Sequence, residues 1–154
     1  MQISTGQFCL MEIGFVGLFF SAFLSATLLP GTSEAALLWL VSEGEDVLIL
    51  VVIATAGNVL GALVNFWIGK SGSQWLLKKV LRMSDATVEK AGNFYQRYGV
   101  FSLLFSWLPI IGDPLTVAAG LFHLPASQFI PLVTIGKLAR YAILGWGWHW
   151  ALAH

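Results

Sequence analysis

The residues best suited to chemistry are four charged side chains embedded in apolar sequence: Glu34, Asp113, Lys137 and Arg140. A single charge at the centre of a bilayer costs about 2.5–3.5 kcal/mol on insertion scales, so such residues usually pair with one another or line a pathway. Their formal charges sum to zero. Lys137 and Arg140 are three residues apart, so they share one face of a helix. We predict that this face meets both carboxylates in a polar pocket near the membrane midplane.

These side chain types suit the binding of an anion and the transfer of a proton. Lysine and arginine both bind phosphate, and the planar guanidinium of Arg140 can do so through two parallel hydrogen bonds. Either Glu34 or Asp113 could carry a proton in step with the substrate. Helix N-termini after Pro30 and Pro114 would add backbone N–H donors. A simpler interpretation stays open, in which the four charges form a buried ion-pair lock without a transport role.

Each acid follows a break in an otherwise apolar segment. The first break contains Pro30 and Gly31, and the second contains Pro109, Gly112 and Pro114. Proline lacks a backbone donor and clashes with the preceding helical turn, so it interrupts a helix. In a membrane, broken backbone persists only where protein or a water-filled cavity satisfies it. Two such breaks in corresponding positions predict two re-entrant hairpins in an inverted repeat, with a site between them.

The composition is typical of a membrane protein. Of the 154 residues, 57% are hydrophobic and 10% are charged, against about 25% charged residues in soluble domains. Residues 13–33, 47–69 and 114–136 carry no formal charge, and about 20 apolar residues cross a bilayer as a helix. The region before residue 13 lacks the Lys and Arg of a signal peptide, so we interpret it as mature protein. The predicted fold class is all-α, integral to the membrane and polytopic, with residues 1–154 forming a single domain.

Three parts follow one another along the chain. Residues 7–69 form a broken segment followed by a span, and residues 99–154 repeat this order. Between them, residues 70–98 hold six of the eight Lys and Arg residues. By the positive-inside rule this connector is cytoplasmic, and the acidic link at residues 43–46 then lies outside.

The connector is expected to contain an amphipathic helix. Ser84 can cap a helix that begins at Asp85, and Gly99 can end it. Apolar residues recur at helical spacing at Val88, Ala91, Tyr95 and Tyr98. An earlier short helix is suggested by Trp75, Leu76 and Val80. Both helices either lie on the membrane surface, with lysines near lipid head groups, or form a solvated connector.

The uninterrupted span at residues 47–69 carries small and polar residues at close spacing: Gly57, Asn58, Gly61 and Asn65. Glycines four residues apart let another helix approach closely, and asparagines can hydrogen-bond across the contact. We interpret these residues primarily as packing residues. Together with the connector helix they allow a homodimer without requiring one.

Several functional classes lack support in the sequence. A net charge of zero gives no general attraction to nucleic acid. The single cysteine, Cys9, allows no intrachain disulfide, and no Cys-x-x-Cys or His-Glu-x-x-His metal motif is present. The absence of Gly-x-Ser-x-Gly makes an intramembrane hydrolase a remote alternative. We therefore expect no catalytic residue, no cofactor and no metal.

The motifs resemble those of the DedA family, also called the SNARE-associated or VTT-domain family. The similar stretches are Tyr95-x-x-Tyr98-Gly99, Leu108-Pro109, Ala119-Gly120, Leu29-Pro30-Gly31-x-x-Glu34 and Gly57-Asn58-x-x-Gly61, within residues 15–150. Gly112-Asp113 and Gly136-Lys137-x-x-Arg140-Tyr141 make the chain most similar to the short YqaA-like branch. The resemblance implies a bacterial inner-membrane protein with two facing re-entrant hairpins. It also implies movement of phospholipids or polyprenyl phosphates, by proton-coupled flipping or by scrambling, with Glu34 at the position of the family's functional acid.

The second break departs from the family pattern Arg-Phe-x-Pro-x-x-Arg, because Ser106 and Gly112 stand at the two arginine positions. A second family acid, in the first uninterrupted span, is absent too. We expect Lys137 and Arg140 to supply the positive charge instead, and Asp113 to supply the acid. The preferred function is translocation of a lipid or other anionic amphiphile. The alternative is a non-transporting membrane scaffold or assembly factor.

Overall fold

A computed structural model describes residues 5–26, 31–72, 84–108 and 111–154. These residues form six α-helices and one 3₁₀ helix, with no strand among them: α1 (Thr5–Ser25), α2 (Thr32–Ser42), α3 (Val47–Ser71), α4 (Asp85–Tyr98), the 3₁₀ helix (Gly99–Trp107), α5 (Gly112–Leu121) and α6 (Ala126–Ala153). The all-α prediction is therefore confirmed. Pro30, Pro109 and the short helix suggested near Trp75 lie outside the described residues.

Two of these helices, α3 and α6, are long and apolar enough to cross a membrane. Helix α3 begins where the sequence changes from acidic to apolar, directly after Asp46. The carboxylate of Asp46 accepts hydrogen bonds from the backbone N–H groups of Leu48 and Ile49, at 2.8 and 3.2 Å. This cap satisfies two of the donors that the first helical turn leaves unpaired. The position of α3 is thus determined by its cap as well as by its apolar length.

The first broken segment forms two helices, α1 and α2, that pack against each other. Gly31 precedes α2 with a φ of +96°, a left-handed conformation that glycine adopts without strain. A Cβ added to Gly14 of α1 would lie 3.0 Å from Leu40 Cδ2, near the end of α2. The chain therefore doubles back between these two helices.

The second broken segment contains the 3₁₀ helix on one side of its break and α5 on the other. The sequence predicts Pro114 as part of the break, and this is wrong. Pro114 is buried in the first turn of α5, where a backbone N–H would have no partner within the helix. The break precedes Gly112, which lies so close to the backbone of Ser106 that a Cβ would overlap it.

Helix α4 begins and ends at the residues that the sequence indicates. The Ser84 hydroxyl accepts a hydrogen bond from the Thr87 backbone N–H at 3.2 Å. Gly99 ends the helix with a φ of +60°, which again suits glycine. Local side chain and backbone chemistry therefore determines both ends of α4.

The apolar face of α4 packs against the protein, beside α5. Ala91 and Tyr95 are buried, and the Tyr95 ring stacks on Phe122 with centroids 5.1 Å apart. Tyr98 does not belong to this buried face, contrary to the predicted stripe. It is 50% exposed, and its ring packs on Phe94 at 4.5 Å.

Two hydrophobic clusters lie along the pair formed by α3 and α6. The first joins the N-terminal half of α3 to α1, α2 and the C-terminal half of α6, and contains Leu37, Leu50 and Tyr141. The second joins the C-terminal half of α3 to α4, the 3₁₀ helix, α5 and the N-terminal half of α6. Phe66 and Phe129 meet there with ring centroids 4.4 Å apart. Helices α3 and α6 therefore run antiparallel, and their middle residues lie where the two clusters meet.

Glycines allow the helices beside α3 to approach its backbone. A Cβ added to Gly57 or Gly61 would overlap backbone carbonyl groups of α1. A Cβ added to Gly69 would overlap the backbone of α5, and one added to Gly120 of α5 would overlap the backbone of α3. Small residues at such contacts are the usual basis of close helix packing in membranes. Helix α3 is thus held between α1 and α5.

Candidate functional site

A group of polar side chains from four helices lies near the middle of α3 and α6. We call it the polar cluster, and its members are Ser33, Glu34, Asn58, Asp113, Lys137, Arg140 and Tyr141. The two acids each lie in the first helical turn after a break, in α2 and in α5. The positive end of a helix dipole stabilises a carboxylate at that position. The two broken segments therefore contribute the acids, and α6 contributes both cations.

The charged members of the polar cluster form two ion pairs. Lys137 Nζ lies 3.2 Å from Asp113 Oδ1, and Arg140 Nη2 contacts Glu34 Oε1. The structure thus brings together the four charged residues that the sequence singles out and gives each carboxylate one cation. Removal of one partner would leave an uncompensated charge in an apolar bundle, which is strongly unfavourable.

A chain of hydrogen bonds connects the Lys137–Asp113 pair to the first broken segment. Lys137 Nζ donates to Asn58 Oδ1, and Asn58 Nδ2 donates to Tyr141 Oη at 2.8 Å. The hydroxyl groups of Tyr141 and Ser33 are 2.8 Å apart, and either can donate. The chain therefore connects α5, α6, α3 and α2 through side chains alone.

Asn58 and Tyr141 both take part in this chain of hydrogen bonds, and the sequence alone does not predict that role for either residue. The sequence indicates that Asn58 is a packing residue. In the structure, its side chain also accepts a hydrogen bond from Lys137. Tyr141 is 1% exposed, and its hydroxyl bonds to two other helices. The available signal was spacing, because Tyr141 follows Lys137 by four residues and so lies on the same face of α6.

The remaining predicted site residues support the helices that carry the polar cluster. Asn65 Nδ2 donates to the backbone carbonyl of Ala26 at 2.6 Å, and so satisfies an acceptor at the C-terminal end of α1. Gly57 and Gly61 form the contact with α1. These three residues therefore stabilise the first broken segment.

Backbone and small side chains fill the region where the family pattern has its two arginines. Ser106 is 1% exposed, and its hydroxyl has no hydrogen-bond partner within the described part of the chain. A Cβ at Gly136 would lie 3.1 Å from that hydroxyl. A side chain at Gly112 would overlap the backbone of Ser106. Lys137 reaches Asp113 from α6 instead.

The two cationic side chains of the polar cluster suit an anionic ligand. Within residues 5–26, 31–72, 84–108 and 111–154, no three His, Cys, Asp or Glu side chains are grouped so that they could hold a metal. The guanidinium of Arg140 and the ammonium of Lys137 are donors only, and both match phosphate or carboxylate groups. The arrangement can therefore hold an anionic group once a carboxylate is displaced.

Comparison with known proteins identifies a matching family and several related proteins. A sequence profile of the VTT domain matches residues 6–146. Inner membrane protein YqaA of Escherichia coli is 40% identical over 125 residues, which cover 80% of this chain and 83% of that protein. An uncharacterized protein of Haemophilus influenzae is 38% identical over 135 residues, which cover 82% of each chain. No solved structure matches the chain significantly.

Proposed function

The chain belongs to the VTT-domain family of membrane proteins, the DedA family. From this membership and the geometry of the polar cluster we propose that it moves a lipid with an anionic head group across the bacterial inner membrane. The location rests on the similarity to an inner membrane protein. Membrane lipids are the proposed partners, and no catalytic residue is assigned.

The observation that carries this proposal is the pairing of charges between the broken segments and α6. Each broken segment contributes one acid, and α6, a membrane-length helix, contributes the cation that pairs with it. Four charges that meet beside the middle of an apolar membrane-length helix are costly to bury, and such residues usually mark a substrate or ion pathway. Lys137 and Arg140 match the phosphate of a lipid head group. Exposed apolar side chains on α3 and α6, among them Val64, Ile135 and Ile143, offer the acyl chains a surface beside that site.

The proposed topology follows from the two doubled-back segments. Helices α1 and α2, and the 3₁₀ helix with α5, are proposed to enter the membrane as re-entrant hairpins from opposite sides. Their packing on opposite halves of α3 supports an inverted repeat of this kind. Residues 70–98 would then be cytoplasmic, on the basis of their excess of Lys and Arg. Protonation of Glu34 or Asp113 would provide a means of coupling to protons.

A non-transporting scaffold is the second candidate. The observation that favours it is the completeness of the polar cluster, since each charge already has a partner in the described structure. A buried ion-pair network can serve to fix the arrangement of helices. A scaffold would tolerate loss of a charge at the site or would lose its fold with it.

The test is lipid translocation in liposomes that contain the purified full chain. A phosphatidylglycerol labelled on its head group and a membrane-impermeant quencher would report movement between leaflets. We expect fast movement by the wild type and loss of movement in Glu34→Gln and in Asp113→Asn. Each variant leaves one cation unpaired and should be less stable, so the rates are compared at a temperature where thermal unfolding shows both variants to be folded. Glu43→Gln is the matched control, because Glu43 is exposed on the loop after α2.

Two outcomes would count against the proposal. Wild-type movement no faster than in protein-free liposomes, for both labelled phosphatidylglycerol and a labelled polyprenyl phosphate, would favour the scaffold. Wild-type rates that persist in both site variants would show that the charges do not lie on the pathway.

A further inference from the structure

The two ion pairs of the polar cluster differ in their access to the surroundings. The side chains of Arg140 and Glu34 are 15% and 28% exposed, whereas that of Lys137 is 2% exposed. Asp113, at 20%, is as exposed as the members of the Arg140–Glu34 pair, so the contrast lies between the two cations. An incoming ligand can therefore reach the Arg140 side chain more easily than it can reach the ammonium of Lys137.

The two cations also differ in how firmly they are held. Lys137 binds Asp113 and Asn58 together, and Asn58 is fixed in turn by Tyr141. Displacement of Lys137 would break these two hydrogen bonds and leave buried donors and acceptors unsatisfied, which is costly. In the described part of the chain, the ion-pair partner of Arg140 is Glu34. The Arg140 pair is thus the easier of the two to exchange.

Helix α2 can keep its position while the Glu34 side chain moves. Ser33, the residue before Glu34, is 1% exposed and bonds to the Tyr141 hydroxyl. This bond holds the first turn of α2 against α6 independently of the carboxylate. Release of Arg140 by Glu34 therefore requires a change of side chain rotamer rather than removal of the helix.

We infer that Arg140 binds the anionic head group in place of Glu34, while Lys137 stays bound to Asp113 and Asn58 as a fixed anchor. The inference rests on the proposed function for its ligand class, a lipid that carries a phosphate. A guanidinium offers parallel N–H donors to two oxygens, and phosphate and carboxylate both fit this geometry. Glu34 is therefore an internal competitor that keeps Arg140 neutralised until one anion replaces the other.

The test is equilibrium binding to the full chain in detergent, measured by isothermal titration calorimetry with dihexanoyl phosphatidic acid. In Glu34→Gln we expect binding to tighten about tenfold or more, because the competing carboxylate is gone. In Arg140→Gln we expect binding to weaken about a hundredfold. Arg97→Gln is the matched control, since Arg97 is exposed on α4, and it should bind like the wild type.

A neutral pair variant, Lys137→Gln with Asp113→Asn, tests the role of the anchor. Its thermal stability should fall, and its binding should weaken far less than that of Arg140→Gln. Two further probes separate the possible sources of the phosphate. Dihexanoyl phosphatidylcholine tests a lipid with a zwitterionic head group, and inorganic phosphate tests the anion without acyl chains. Both should bind much more weakly than the phosphatidic acid.

Several results would overturn the inference. One is weaker binding in Glu34→Gln, and the direction of that change is decisive even if the neutral pair variant does not fold. Others are loss of binding in a folded neutral pair variant, inorganic phosphate binding as tightly as the lipid, and no binding by any variant. Binding that follows the expected order without any lipid movement would instead refute the proposed function and leave the inference intact.

Discussion

Replacement of Tyr141 by phenylalanine removes one hydroxyl from the polar cluster and keeps the ring in its hydrophobic cluster. The hydroxyl lies 2.8 Å from Asn58 Nδ2 and 2.8 Å from Ser33 Oγ. Tyr141 is only 1% exposed, so water cannot easily replace the lost group. The substitution therefore removes two hydrogen bonds and strands two buried partners with little change in packing.

The magnitude follows from these two bonds. Hydrogen bonds between membrane helices contribute about 0.6 kcal/mol each on average, so the two bonds give about 1 kcal/mol. Each buried group left unsatisfied costs about 1–3 kcal/mol, which makes the larger contribution here. The two unsatisfied groups together cost about 2–6 kcal/mol, a range that already includes the lost bonds, and we expect Tyr141→Phe to lower the free energy of unfolding by that amount. For a chain of this size that corresponds to a fall in Tm of about 4–24 °C.

The assay is thermal unfolding of the detergent-purified chain, followed by tryptophan fluorescence. Tyr98→Phe is the matched control, because Tyr98 is 50% exposed, and its Tm should stay within about 1 °C of the wild type. Equal shifts in the two variants would refute the reasoning. So would a double-mutant cycle with Ser33→Ala that shows no coupling, because residues in one hydrogen-bond network should couple by about 0.5 kcal/mol or more.

Gly120→Ala should lower the free energy of unfolding by about 1–3 kcal/mol, because the added Cβ would overlap the backbone of α3 at Phe66. Gly147→Ala is its control, since no atom lies within 4 Å of a Cβ there, and it should be neutral or stabilising through helix propensity. Equal unfolding curves for the two variants would contradict the close contact between α3 and α5. Asp46→Ala should destabilise α3 by about 0.5–2 kcal/mol through loss of its cap, and Asp46→Asn should retain most of that stability. An asparagine variant as unstable as the alanine variant in the same unfolding assay would argue against capping.

Features that depend on local sequence could be predicted. The charge-free run at residues 47–69 predicts the long apolar helix α3, because helix length and capping depend on neighbouring residues. The signals at Ser84 and Gly99 predict both ends of α4 for the same reason. Pro114 was the exception. A proline can end the preceding helix or fit the first turn of the next one, and the neighbouring residues do not distinguish these two cases.

Features that depend on distant residues could be predicted only in part. The four charges indicate that acids and cations should pair, because unpaired charges are costly in an apolar bundle. Which acid meets which cation depends on how α2 and α5 pack on α6, and this is tertiary. The Tyr141 hydroxyl gave no signal of its own, since a tyrosine on an apolar helix is equally typical of an interface. Spacing placed it on the correct face and could not supply its partners.

The chain order of the polar cluster has a consequence for how the protein enters the membrane. Both cations lie in α6, and Glu34 and Asp113, their partners, lie earlier in the chain and are therefore synthesised first. An isolated α6 would pass into lipid with two unpaired cations, each costing about 2.5–3.5 kcal/mol at mid-membrane. An α6 that docks on the helices already made enters as part of a neutral assembly. Its membrane insertion is thus expected to be cooperative with the helices made before it, so that α6 completes both ion pairs as it enters.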